Sequence, residues 1–208
     1  MAIEADKATP AIDTRPQTGL FGAGPFNLPN LITMARLALT LVLFAMISWE
    51  QVGLGIPAAV IFLLAAGTDF LDGYIARKYK LVTVLGRILD PFADKVIVCG
   101  TFIFLLQRYP ASGVNAWMTF IVFGREMFVT VIRSFLEERG KDFSAAWSGK
   151  IKMALQCAAI LVSLLSFSPL LGSEGFNVFR DVLLWVTAAF TLYTGVTYAI
   201  RARAMLRE

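Results

Sequence analysis

No histidine occurs anywhere in the 208-residue chain. The commonest metal ligand and the commonest neutral-pH base are therefore excluded, and any bound metal must meet oxygen donors, which suit hard divalent cations. Cysteine is almost as scarce. Cys99 and Cys157 stand in apolar runs with no CxxC or Cys/His cluster, so both read as small buried residues rather than ligands. Charge is low too, at 16% of residues, where a soluble domain carries roughly 25%. The first 25 residues lack the apolar stretch of a cleavable signal peptide. They hold Pro10, Pro16 and Pro25 among charges and glycines, and read as a flexible cytosolic tail (1–25) ahead of a membrane domain over 26–208. Neither an internal repeat nor a soluble second domain is visible.

What the chain has in quantity is apolar sequence: 57% hydrophobic residues and a mean hydropathy of +0.68. The apolar residues come in runs of about 20, enough to cross a bilayer as helices. Spans are predicted near 30–49, 55–76, 87–106, 114–135, 151–170 and 178–199, which makes the fold an all-α polytopic membrane protein of six transmembrane helices. Cations gather at alternate connections. Arg77, Lys78, Lys80 and Arg87 follow the second span, Arg133, Arg139, Lys141, Lys150 and Lys152 the fourth, and Arg201, Arg203 and Arg207 the sixth. The positive-inside rule then places both termini in the cytosol. The basic tail is also compatible with a helix lying along the membrane surface. A net charge of +4 on such a chain points to lipid headgroups and not to nucleic acid. Trp49, Trp117 and Trp147 fall near span ends, where an aromatic belt would lie.

Against this background four aspartates stand out. Asp69 and Asp72 are three apart near the cytosolic end of the second span, and Asp90 and Asp94 are four apart near the start of the third. Both spacings stack the side chains on one helical face. Asp69 and Asp94 each lie about 12 Å into their helices at 1.5 Å per residue, so the four carboxylates are expected to meet at one depth, in a polar cavity open to the cytosol. Idle intramembrane carboxylates are costly and would repel one another. One or two Mg²⁺ or Mn²⁺ ions would resolve the conflict and, flanking a pyrophosphate, would stabilise charge as a phosphoryl bond breaks. Gly73 and Ala76 extend the same face with almost no side chain, either for close helix packing or as room for a substrate. Two other readings of the aspartates stay open: a packing network paired with Arg77, Arg87 and Lys95, and a cation or proton transporter. Against the transporter, all four acids lie toward one side of the membrane, with no broken helices or repeats at the midplane.

The run Asp69-x2-Asp72-Gly73-x2-Ala76-Arg77-x8-Gly86-x3-Asp90-x3-Asp94 resembles the signature of the CDP-alcohol phosphatidyltransferases at every fixed position and spacing. The resemblance implies attack of an alcohol hydroxyl on the phosphatidyl phosphorus of a CDP-linked lipid, with CMP leaving. It implies that Asp69, Asp72 and Asp90 hold the metals, that Asp94 contributes to the metal site and is the base, and that Asp69, Gly73, Ala76, Arg77 and Gly86 surround the nucleotide. Softer matches resemble the bacterial phosphatidylglycerophosphate synthases within that family: Asn27-Leu-Pro-Asn30-Leu-Ile-Thr33-Met-Ala-Arg36, Leu89-Asp90-Pro91-Phe-Ala-Asp94-Lys95, Gly124-Arg125-Glu126 and Gly149-Lys150-Ile-Lys152-Met-Ala-Leu-Gln156. They imply CDP-diacylglycerol as donor, sn-glycerol 3-phosphate as acceptor, a homodimer and a place in the bacterial inner membrane. Other acceptors remain open, namely phosphatidylglycerol, as in a cardiolipin synthase, inositol phosphate or serine.

An anionic acceptor also fits the cations. Arg125 precedes Arg133 by about 12 Å of helix, which sets it near the depth of the aspartates. With Arg133, Lys150 and Lys152 it is a candidate clamp for a phosphomonoester. The alternatives are pairing of Arg125 with an aspartate or Glu126, and Lys150 and Lys152 as plain positive-inside flanks. Asn30, Thr33 and Arg36 are expected either to bond between helices or snorkel, or to touch substrate.

Overall fold

A computed structural model of the chain describes residues 28–49, 53–79, 84–108, 110–139 and 147–207, without the side chains of 29, 69–79, 84, 85, 87, 206 and 207. Among the described residues every regular element is a helix: α1 (Leu28–Ser48), α2 (Gly55–Tyr79), α3 (Val84–Gln107), α4 (Ala116–Glu138), α5 (Trp147–Leu165) and α6 (Glu174–Arg207). The expected all-α class holds, and the six helices fall on the six predicted segments. The N-terminal tail lies outside the described residues.

Local chemistry sets the helix ends. Gly53, at φ 99°, sits in the α1–α2 turn, a left-handed conformation that glycine adopts without a Cβ penalty. The α3–α4 turn carries Gly113 at φ 71°, and a Cβ there would also meet the Arg180 and Asp181 side chains. Asn115 caps α4, its side-chain oxygen accepting from Met118 N at 3.0 Å. A turn containing Pro169 and Gly172 ends α5 earlier than the expected 170. The last helix is longer than expected, a single run of 34 residues. The segment Ala199-Ile-Arg-Ala-Arg-Ala204 holds good helix formers and neither Gly nor Pro, so nothing separates a surface tail from the span.

Among the described residues, three stretches are long and apolar enough to cross a membrane: Asn30–Ser48, Trp147–Leu165 and Glu174–Met205. An apolar stretch in α2, Gly55–Thr68, is shorter. The charged residues of α2, α3 and α4 interrupt their hydropathy, and those of α3 and α4 among the described side chains, such as Asp94, Arg125, Glu126 and Arg133, line the candidate site.

The helices form two groups. α1 packs against α2 and α3, α6 packs against α4 and α5, and α5 joins the groups through α2 and α3. Each helix gives a residue to one core, such as Leu43, Phe62, Phe102, Met118, Ile160 and Leu184. All six stand in the half of their helix remote from Asp94. At the other end, among the described residues, a small cluster of Val129, Leu136, Tyr198 and Ala202 packs between α4 and α6. Among the described residues the bundle is therefore apolar in its packing at one end and more polar at the other. Large apolar side chains also point outward around it, including Leu41 at 66% and Phe120 at 69% exposure. Such a surface suits hydrocarbon and not water.

Candidate active site

Thr33 and Arg36 lie one turn apart on α1 and turn toward α3. Thr33 donates its hydroxyl to Asp90 Oδ1 at 2.8 Å. Arg36 donates Nη1 to Asp94 Oδ1 at 3.1 Å and Nε to Thr68 Oγ1 at 3.3 Å. Thr68 immediately precedes Asp69 on α2, so one fully buried guanidinium joins α1 to both signature helices at one level. The side chains of Asp69, Asp72, Gly73, Ala76 and Arg77 lie outside the described residues, although their backbone is helical. Gly86 is buried on α3.

Asp94 opens on its other side into a cavity of about 630 Å³ between α3, α4 and α5. Lys95, Arg125, Glu126, Arg133 and Lys152 also line it. The Glu126 carboxylate accepts from the Lys152 ammonium and from Arg125 Nη1, the latter at 3.2 Å. Arg125 also stacks on Tyr198, its guanidinium carbon 5.3 Å from the ring centroid. Gly195 gives it room, since a Cβ there would stand 3.1 Å from Arg125 Cγ. Three buried polar atoms on this wall have no hydrogen-bond partner among the described residues: Arg125 Nε, Arg133 Nε and Gln156 Oε1. Buried polar atoms are normally satisfied, so this wall has donors and an acceptor to offer a polar guest.

The structure thus brings Arg125, Arg133 and Lys152 to the same cavity as Asp94 and leaves Lys150 out. Lys150 is exposed, with its ammonium 5.2 Å from the Trp147 ring centroid. Residues two apart on a helix point to nearly opposite sides, so Lys150 and Lys152 cannot both face one cavity. Arg125 takes the expected alternative partner, Glu126, and still lines the cavity. Lys95 pairs with no carboxylate among the described residues; Asp94 takes Arg36 instead.

Asp90 and Asp94 share a face of α3 and offer carboxylate oxygens, the donor type that hard divalent cations prefer. Among the described side chains no three of Cys, Asp or Glu converge. A larger oxygen set needs Asp69 and Asp72, which the helical register of α2 places just beyond Thr68. The residues present therefore fit Mg²⁺ or Mn²⁺ and no softer ion.

The polar stripe on α1 is the feature that sequence reading left undecided. Asn30, Thr33 and Arg36 recur every three residues in a largely apolar helix, and all three are buried rather than snorkelling. Gly195 and Tyr198 carried no signal as parts of the site, because each matters only through the α4 arginine it meets in space.

Comparison supplies the class of this helical protein: the family profile for CDP-alcohol phosphatidyltransferase matches residues 26–193. The chain belongs to the CDP-alcohol phosphatidyltransferase family. Its relatives include the CDP-diacylglycerol–glycerol-3-phosphate 3-phosphatidyltransferase of Bacillus subtilis, 37% identical over 189 residues that cover 83% of this chain and 93% of the relative. The protein of the same name from Rickettsia bellii is 36% identical over 177 residues, covering 83% and 93%. That of Shigella flexneri is 33% identical over 192 residues, covering 88% and 98%.

Proposed function

We propose that the chain transfers the phosphatidyl group of CDP-diacylglycerol to sn-glycerol 3-phosphate, giving phosphatidylglycerol phosphate and CMP. The observation that carries this reading is the meeting of Asp94 with Arg125, Arg133 and Lys152 around one cavity. A carboxylate there can take a proton while the cations hold an anionic acceptor. The relatives named above for the same reaction support it.

Asp94 accepts the proton of the acceptor's primary hydroxyl. That oxygen forms its bond to the phosphatidyl phosphorus as the bond from phosphorus to the CMP oxygen breaks, and the proton passes from Asp94 to water. Arg125 and Arg133, with Lys152 beside them, bind the acceptor phosphate and orient the hydroxyl. Gly73, Ala76, Arg77 and Gly86, with Asp69, bound the nucleotide. Mg²⁺ or Mn²⁺ held by Asp69, Asp72, Asp90 and Asp94 would, in a two-ion arrangement, neutralise the pyrophosphate and the charge developing on CMP. Thr33 and Arg36 hold Asp90 and Asp94 in place through the bonds already described.

The same reading makes α1 to α6 six spans with both termini and the cavity mouth cytosolic, in the bacterial inner membrane, and the protein a homodimer. It is supported by the alternation of basic connections and by the outward apolar side chains on every helix. The deciding experiment measures CMP release by purified protein with CDP-diacylglycerol and Mg²⁺, with and without glycerol 3-phosphate, using Asp94→Asn as control. Release that needs glycerol 3-phosphate and disappears in the variant is expected. Release only with phosphatidylglycerol, inositol phosphate or serine would overturn the acceptor. Cation flux in liposomes without CMP release would overturn the reaction.

A further inference from the structure

Gln156 is fully buried on α5 and lines the polar cavity. Its amide nitrogen donates to Thr191 Oγ1 on α6 at 3.4 Å, which leaves the carbonyl end, Oε1, with no hydrogen-bond partner among the described residues. An amide carbonyl buried without a donor is costly in a folded protein. Lys152 stands one turn before it on the same face of α5. At 1.5 Å per residue Gln156 is about 14 Å into α5 and Asp94 about 15 Å into α3. The two therefore face one cavity from similar depths in their helices.

The chemistry of this carbonyl decides what it can bind. It is a neutral acceptor and has nothing to donate. Among the charged groups of the cavity, Lys95, Arg125, Arg133 and Lys152 only donate. Glu126 already accepts from Lys152 and Arg125. A phosphomonoester dianion satisfies the cations but has no proton for Gln156. The guest that completes this wall must carry an O–H besides its phosphate and besides the hydroxyl that reacts at Asp94. Glycerol 3-phosphate has one such group, the secondary hydroxyl on its middle carbon, between the phosphate and the reacting end. The last torsion of a glutamine side chain is soft, so a small rotation of the amide presents Oε1 to it. We propose that Gln156 accepts a hydrogen bond from the C2 hydroxyl of the acceptor and so selects glycerol 3-phosphate over phosphorylated alcohols that lack it. This inference rests on the proposed transfer to glycerol 3-phosphate.

The test gives the purified full chain, with CDP-diacylglycerol and Mg²⁺, two acceptors in turn: sn-glycerol 3-phosphate and 3-hydroxypropyl phosphate. The second keeps the phosphate and the primary hydroxyl and lacks only the hydroxyl on C2. For the wild type, kcat/KM for CMP release should be at least about tenfold lower with 3-hydroxypropyl phosphate, the scale of one buried acceptor left unpaired. Equal use of both acceptors would overturn the proposal, and this arm needs no variant to fold. Gln156→Met keeps the length of the side chain and removes the carbonyl. In it the preference should shrink to less than about threefold, chiefly through loss with glycerol 3-phosphate. A merely structural role would slow both acceptors alike and keep the preference, which would refute selection by Gln156. Gln156→Glu retains an acceptor oxygen while its charge repels the acceptor phosphate. It should slow both acceptors and still prefer glycerol 3-phosphate; a preference as small as that of Gln156→Met would count against the hydrogen bond. The two readings fail separately. CMP release that does not depend on glycerol 3-phosphate removes the transfer reading, whereas release that depends on it and proceeds equally well with 3-hydroxypropyl phosphate removes only the role of Gln156.

Discussion

Arg36 Nη1 stands 3.1 Å from Asp94 Oδ1, with the arginine side chain wholly buried and the aspartate 34% exposed. Asp94 is thus gripped from the protein side and open on the cavity side. The same guanidinium reaches Thr68, so one residue relates α3 to the turn of α2 that precedes Asp69. A buried arginine of this kind needs its planar set of donors, which lysine cannot copy.

Arg36→Lys should therefore keep the charge and lose the geometry. We expect a folded protein whose CMP release falls about a hundredfold, the scale of an ångström-sized misplacement at a reacting group. Arg36→Met should lose as much activity and also unfold at lower temperature. Wild-type turnover by Arg36→Lys would mean that charge alone suffices at Asp94.

Glu126 and Lys152 form a second coupled pair. Their side chains are 13% and 5% exposed, so removing the acid leaves a buried ammonium with its principal partner gone. Glu126→Gln should destabilise the protein by about 3 kcal/mol. Lys152→Met in the same chain should recover most of that loss, giving a coupling energy of about 1–3 kcal/mol in a double-mutant cycle. Thermal unfolding of the four proteins in detergent reads it. The double variant should stay weak in turnover, since Lys152 belongs to the proposed acceptor wall, and additive stabilities would show that the two groups do not interact.

Arg133 is a cleaner probe of the acceptor, because its buried Nε has no partner among the described residues. Arg133→Met then disturbs little of the protein itself. KM for glycerol 3-phosphate should rise about tenfold or more, with KM for CDP-diacylglycerol nearly unchanged, the pattern of a lost binding contact to one substrate. A rise confined to the donor would move Arg133 to the nucleotide.

Chelation tests the oxygen-donor reading. Removal of divalent ions should abolish CMP release, Mg²⁺ or Mn²⁺ should restore it, and Zn²⁺ should restore it poorly, since the site lacks the nitrogen and sulfur ligands that zinc favours. Full activity in the presence of a chelator would show that the carboxylates work without metal.

Much of this was legible in the chain because hydropathy and helical period are local properties. Asp90 and Asp94 share a face simply by being four apart, and the helices follow from apolar runs between turns. Choosing among cations was harder. Lys150 and Lys152 look equivalent as flanking charges, yet only Lys152 turns inward, since α5 already begins at Trp147 and its rotation is set by packing on α6. The role of Arg36 was equally hidden: an arginine eight residues past the start of an apolar helix is compatible with interhelical bonding, snorkelling or substrate contact until α3 supplies the aspartate. Arg180 carries no local signal of its burial, since two of its partners, Ala111 and Ser166, are distant in sequence.

That residue separates stability from catalysis. At the end of the bundle remote from Asp94, Arg180 donates from Nη1 to Ala111 O at 2.7 Å, Ser166 Oγ at 3.1 Å and Asn177 Oδ1 at 3.1 Å. It is 5% exposed, and it pins the α3–α4 turn to α5 and α6. Its ion pair with Asp181 adds less, because that carboxylate is 51% exposed and solvent screens the attraction. Arg180→Met leaves the Ala111 carbonyl without this donor and should cost about 3 kcal/mol, lowering the unfolding temperature by a few degrees per kcal/mol. Asp181→Asn should cost well under 1 kcal/mol. Neither change touches the cavity, so CMP release per folded molecule should stay within about twofold of wild type in both. A large loss of turnover in folded Arg180→Met would mean that this end of the bundle sets the geometry around Asp94, and that the site depends on the packing of the whole helix set rather than on α1 and α3 alone.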